Sequence, residues 1–336
     1  MRITTETLLK IARDTVAQRA RSDHSLLAIY LTGSLLEGDP LLGGTTDIDL
    51  VFVHDTKVDV EREIQRLTDQ VHLDIAHHAR DDYRWARSLR LHPWLGSTIV
   101  GCKIMHDPQH FLDFTQASVR SQFSRPDNLI GRSRGQAEHA RQMWFTLHDL
   151  ARPAGLEDIE LYFKAVEHVA NAVASLSGPP LTERRFLLRF PQRAEAIGFP
   201  GLYAGLVGLL GGPNTSAKAM LDWLPAWQAA YLAIPPLQAS PRLHAHRCPY
   251  FQRAFEKVIG SEKFQDALWP LLRTWTDAVQ PLPEETAHRQ AWEEALKQLG
   301  LFGEGFPERV EALDAYLDTV EEILDERARA NGVEIE

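Results

Sequence analysis

The sequence predicts a chain in two parts: an α/β N-terminal domain, a mixed sheet with helices, over residues 1–115, and an all-α domain over residues 116–336. Three observations predict it. Short apolar runs alternate with amphipathic runs through the first hundred or so residues. Strand signals fade after Phe111, and long helical stripes take over. The chain has 336 residues, 44% of them hydrophobic and 24% charged, which is enough apolar side chain for two packed cores.

Taken in order, Leu8, Leu9, Ile11, Ala12, Val16 and Ala20 recur near helical spacing and predict a helix over residues 5–20. The run from Leu26 to Thr32 reads as a buried strand. Ser34 opens a short helical turn that Gly38-Asp39-Pro40 ends, and Gly43-Gly44-Thr45-Thr46 is a flexible loop. Residues 48–54 form a second strand. Val60, Ile64 and Leu67 share a face of a helix predicted over 58–70, and residues 71–76 form a third strand. Residues 81–91 read as helical and 99–105 as another strand, closed by His106-Asp107-Pro108. Long helices are predicted over 127–150 and 156–177, separated at Pro153. The second carries Leu156, Ile159, Phe163, Val166, Ala170 and Val173 on one stripe. Pro179-Pro180, Gly211-Gly212-Pro213 and Ile234-Pro235-Pro236 punctuate further helices up to a last one over 307–330. The shift in composition near residue 115 sets the expected domain boundary.

Charge and composition narrow the function. The formal net charge is −10, whereas a protein holding long nucleic acid through its phosphates carries a basic field. An acidic surface suits a cationic or neutral small substrate. Two distant cysteines, Cys102 and Cys248, give no disulfide framework, which predicts a reducing, cytoplasmic location. The N-terminus leads into an amphipathic pattern, not a signal sequence. No apolar run approaches the roughly 20 residues of a membrane-spanning helix, so no membrane partner is expected.

The chemistry concentrates in one stretch. Gly33-Ser34 ends the first strand, Asp47 and Asp49 lie on the second, and Asp74 lies on the third. Strand side chains alternate faces, so Asp47 and Asp49 point one way while Ile48 and Leu50 point into the core. Two adjacent carboxylates repel each other unless a cation sits between them. If the third strand pairs beside the second, Asp74 joins them. Asp47, Asp49 and Asp74 are therefore the expected metal ligands and catalytic residues. They would hold Mg²⁺, as two ions roughly 4 Å apart, with Asp74 orienting or deprotonating an acceptor hydroxyl. Gly33 permits close approach of backbone to phosphate, and the amide and hydroxyl of Ser34 would hold a triphosphate tail. Lys164 is a further nucleotide-binding candidate. It shares a polar stripe with Glu160, Glu167, Asn171 and Ser175, and the plainer reading is an i,i+4 pair with Glu160. Glu167 is a candidate acceptor base.

Other groups read as structural. His77-His78 follow the third strand as loop histidines. His244, His246 and Cys248 lack a fourth ligand for zinc. Arg184, Arg185, Arg189 and Arg193 read as a helix surface, and Trp223 and Trp227, one helical turn apart, are expected to pack.

The order of these residues resembles the nucleotidyltransferase superfamily of the DNA polymerase β type. That pattern is an apolar strand, Gly-Ser, a loop with a further glycine, an acid-x-acid strand and a third acid on a later strand. Here it is Gly33-Ser34, Gly38, Asp47-Ile48-Asp49 and Asp74, within residues 26–76. The loop from Ser34 to Asp47 departs from the pattern in its length and in Pro40. The resemblance implies a mixed sheet with helices behind it, Mg²⁺, and transfer of a nucleotide with release of pyrophosphate. The layout is similar to antibiotic nucleotidyltransferases, in which a helical second domain closes over the cleft. It implies an enzyme that moves a nucleoside monophosphate from an NTP, ATP foremost, to a hydroxyl of a small-molecule acceptor, with an aminoglycoside-like cation as the example. Three alternatives stand beside it: an antitoxin-like protein adenylyltransferase with a protein acceptor, a non-catalytic nucleotide-binding regulator, and an RNA-tailing enzyme. The last is disfavoured by the acidic charge and the lack of a basic stripe with interleaved aromatics.

Overall fold

The first amphipathic stripe folds as α1 (Thr5–Ser22) in a computed structural model that describes residues 3–334. Thr4 caps α1, its Oγ1 accepting the Thr7 amide at 3.2 Å, and Leu8, Ala12 and Val16 are buried. The chain divides into two units, one running through Arg125 and the other starting at Pro126.

In the first unit, β1 (Leu26–Thr32), β2 (Thr46–His54), β3 (Arg62–Arg66), β4 (Val71–Ala79) and β5 (Lys103–His106) form one mixed sheet in the order β3-β4-β2-β1-β5. β2 and β4 run parallel, with Asp49 opposite Asp74, and the other neighbours are antiparallel. Alternation gives the sheet two apolar faces. Ile29, Leu31, Ile48, Leu50, Phe52, Leu73 and Ile75 pack against α1. On the other face Ala28, Tyr30, Val51 and Val53 pack with residues of α2 (Ala86–Leu91), α3 (Pro93–Gly101) and α4 (Phe111–Phe123).

Three expected elements are corrected. The helix expected over 58–70 contains the edge strand β3 instead. Its spacing of Val60, Ile64 and Leu67 suits a helix, but residues 62–66 complete the ladder of β4 through a tight turn. The Leu67 and Thr68 amides donate to the Val71 carbonyl, and Thr68 Oγ1 accepts the Gln70 and Val71 amides at 3.1 Å. A hairpin with a bonded turn outweighs a weak periodicity. The expected helix over 81–91 is a 3₁₀ turn, Arg80–Tyr83, followed by α2. The expected strand over 99–105 is the end of α3 and then β5. The boundary expected at 115 falls inside α4. This helix belongs to the first unit because Gln116 Nε2 donates to the Ile99 carbonyl and Arg120 Nη2 to the Val100 carbonyl, both at 2.7 Å.

The second unit is helical: α5 (Pro126–His148), α6 (Leu156–Ala174), α7 (Phe186–Ala196), α8 (Leu202–Leu209), α9 (Ala217–Leu232), α10 (Cys248–Ile259), α11 (Leu268–Val279), α12 (Ala287–Gln298) and α13 (Phe306–Ala330). The stripe predicted on α6 is buried throughout. Trp227, Trp275 and Trp292 lie fully inside. Two of their indoles find threonine hydroxyls on α11: Trp227 Nε1 donates to Thr274 and Trp292 Nε1 to Thr276, each at 3.0 Å. Arg141 ties α5 to α13, donating to Glu321 and Asp318 and pairing with Asp314. Among the described residues, no helix is long and apolar enough to cross a membrane.

Candidate metal centre

The centre lies on the sheet of the first unit. Asp47 and Asp49 project from one face of β2, since Ile48, Leu50 and Phe52 between and beyond them fill the α1 side. β4 runs parallel beside β2, so Asp74 stands next to Asp49 on that face. Each of the three carboxylates offers an oxygen, and these oxygens lie within 4.8 Å of one another. Asp47 is 6% exposed and Asp74 3%, so the cluster is sunk into the protein, with Asp49 half-buried at its rim.

The backbone is shaped around this cluster. Gly33 follows β1 with φ of 77°, a conformation that favours glycine. A Cβ built there would lie 2.0 Å from Asp49 Oδ2, so only glycine lets the chain pass so close to the carboxylate. Ser34 begins the 3₁₀ turn Ser34–Glu37 and is half-buried. His72 is fully buried beside the cluster, with Nδ1 3.8 Å from Asp47 Oδ1.

Arg62 completes the picture. It reaches from β3 and grips Asp74 with a two-pronged fork, Nε to Oδ1 at 2.6 Å and Nη2 to Oδ2 at 2.7 Å. The sequence reading missed it because it places residues 58–70 on a helix. The hairpin register would have found it: Arg62 pairs with Ala76, two residues beyond Asp74 on the same face.

A donor set of three carboxylates with oxygens this close together fits a hard divalent cation such as Mg²⁺ or Mn²⁺, which prefers oxygen ligands. The close packing of Gly33 on Asp49 fits it too, because it fixes one donor without a side chain in the way.

A scan against protein-family models gives no match, and neither does a search of curated proteins.

The remaining candidates lie elsewhere. Lys164 stands exposed on α6 in the second unit, where it attracts the carboxylates of Glu160 and Asp277. Glu160, Glu167 and Asp277 are all pushed above the usual carboxylate range by desolvation, with Arg273 pulling each of them back. Among the described residues, His244, His246 and Cys248 belong to no metal-capable cluster. Burial pushes the thiols of Cys102 and Cys248 up to about 12 and about 11, so neither is a ready nucleophile at neutral pH. Arg184 is not a surface residue. It is buried, with its guanidinium carbon 3.4 Å from the centre of the Tyr250 ring. Trp223 and Trp227 are buried.

Proposed function

We propose that this chain is a Mg²⁺-dependent nucleotidyltransferase that moves a nucleoside monophosphate from an NTP to a hydroxyl of a small acceptor and releases pyrophosphate. The observation that carries this reading is the convergence of Asp47, Asp49 and Asp74 from two neighbouring parallel strands beside the Gly33 corner. One oxygen from each of the three carboxylates lies within 4.8 Å of the others, a donor set that suits a shared divalent cation, with Arg62 already offsetting part of the charge at Asp74.

In this reading Asp47, Asp49 and Asp74 hold the cation, which supplies charge neutralisation for the phosphates and for the leaving pyrophosphate. The residues of the chain do the positioning. Gly33 lets the backbone come against Asp49, where a side chain would collide with its carboxylate. Ser34 offers its hydroxyl and amide at the same corner. Asp74, oriented by Arg62, is the group placed to align an acceptor hydroxyl or take its proton. The formal charge of −10 suits an amine-bearing acceptor and agrees with a small-molecule substrate better than with long nucleic acid.

The test is a pyrophosphate-release screen with ATP, CTP, GTP and UTP against cationic hydroxyl compounds, with Mg²⁺ and then with EDTA. Release that depends on an acceptor and on Mg²⁺, and that disappears in Asp49→Asn, supports the reading. Label from ATP appearing on protein bands of a lysate instead would make the acceptor a protein. Release of phosphate with no transfer of the nucleotide would contradict the reading.

A further inference from the structure

Arg62 has a place in the sheet that the three carboxylates alone do not explain. β3 is the edge strand, and its consecutive residues Arg62 and Glu63 are anchored on opposite faces. Arg62 forks onto Asp74 on the carboxylate face. On the α1 face, Glu63 Oε1 accepts Arg19 Nη2 at 2.6 Å and lies 3.3 Å from His77 Nε2. His77 Nδ1 is 2.9 Å from His54 Nε2, and His54 Nδ1 is 3.0 Å from Ser25 Oγ. The edge strand is thus pinned from behind by side chains of α1, β2 and β4, and the fork on Asp74 is held in register. At 28% exposure the Arg62 side chain is largely enclosed, and that of Asp74 is 4% exposed, so water competes weakly for the pair.

The fork restricts how Asp74 can meet a cation. Each carboxylate oxygen has two lone-pair directions, and a side-on guanidinium takes one at each oxygen. The other two directions diverge. A cation then meets one oxygen of Asp74, not both, and the planar fork keeps the carboxylate from rotating to change that. This matters for the choice of ion. Ca²⁺ takes six to eight oxygens at longer distances and gains from bidentate carboxylates, whereas Mg²⁺ takes six at short distances in a strict octahedron. We propose that Arg62 is a specificity-determining residue of the Asp47–Asp49–Asp74 centre: its fork enforces single-oxygen coordination by Asp74 and so favours Mg²⁺ and Mn²⁺ over Ca²⁺. The inference rests on the reading of these carboxylates as a cation site, and it concerns binding, not turnover.

The experiment is Mn²⁺ binding to the full chain, followed by the loss of the free-ion electron paramagnetic resonance signal, and then displacement of bound Mn²⁺ by Ca²⁺. The ratio of the two affinities is the readout, because removing a positive charge strengthens both and cancels in the ratio. Arg62→Met should shift that ratio toward Ca²⁺ by on the order of tenfold. Arg62→Lys keeps the charge and loses the fork, so it should shift the ratio in the same direction. If Arg62→Met does not fold, Arg62→Gln, neutral and without the planar fork, is read in its place. An unchanged ratio in the variants overturns the proposal, as does a lysine variant that discriminates like the wild type. Wild-type protein that leaves the Mn²⁺ signal untouched overturns the carboxylate-site reading itself, and the role of Arg62 with it. Wild-type binding with an unchanged ratio in the variants removes only Arg62.

Discussion

Asp49 sits under two opposing demands. One of its carboxylate oxygens lies within 4.8 Å of oxygens from Asp47 and Asp74, a crowding of like charge that Arg62 offsets at Asp74, and it is closed in by the backbone of Gly33. Neutralising it removes a repulsion and a ligand together. Asp49→Asn should therefore lose most of the stabilisation that Mn²⁺ confers on the wild type, as measured by thermal unfolding with and without the ion. A variant that Mn²⁺ stabilises as much as the wild type would take Asp49 out of the centre. Gly33 tests the same contact from the other side. With φ of 77° and a Cβ that would fall 2.0 Å from Asp49 Oδ2, Gly33→Ala should cost about 1–3 kcal/mol in denaturant unfolding and weaken Mn²⁺ binding. A fully stable alanine variant would show that the corner relaxes freely.

At the scale of elements, the strands that carry the acids were legible and the strand that steadies them was not. β1, β2 and β4 announce themselves as apolar runs, and the period of two puts Asp47 and Asp49 on one face without further information. What the sequence does not contain is the neighbour relation. That Asp74 stands beside Asp49 depends on β4 lying parallel to β2, a long-range pairing that no local pattern in the sequence states. β3 is hidden because an edge strand with few buried side chains shows little alternation, while Val60, Ile64 and Leu67 happen to sit at helical spacing. His77 and His78, which the sequence reading places in a loop, lie on β4, and His77 hydrogen-bonds His54 on β2. Desolvation, with His77 beside it, pulls His54 below its ordinary value of 6.5, against an upward pull from Asp23. Desolvation likewise lowers His78. Protons refused by the fold are accepted by the unfolded chain. The stability these groups supply is thus complete above about pH 6.5 and lost as pH falls through their lowered values. The carboxylates of α6 and α11, raised by burial, act in the opposite direction on acidification, so the readout is the comparison of His54→Asn with the wild type: below that value the urea midpoint of the variant should move less toward instability. A variant whose midpoint moves as far as the wild type's, or further, would contradict the assignment. In the second unit Arg141 reaches three carboxylates of α13 from α5, and Arg141→Ala should cost about 1–3 kcal/mol. A change within the error of the unfolding measurement would reduce that cluster to a surface decoration.

At the scale of the molecule, the chain keeps its carboxylate centre within the first unit, and the helical unit carries its own charged side chains on α6 and α11. The division was visible as a change of periodicity, and its position moves from 115 to 125 because α4 is bonded to α3. The centre does not depend on that position, since every residue that forms it lies between Gly33 and Asp74. The most direct measurement is a crystal of the full chain soaked in Mn²⁺, with anomalous scattering collected at the manganese edge. The account predicts a peak within coordination distance of oxygens from Asp47, Asp49 and Asp74, and no such peak in Asp49→Asn. Manganese bound at saturating concentration elsewhere in the wild type, with those three carboxylates bare, would contradict it.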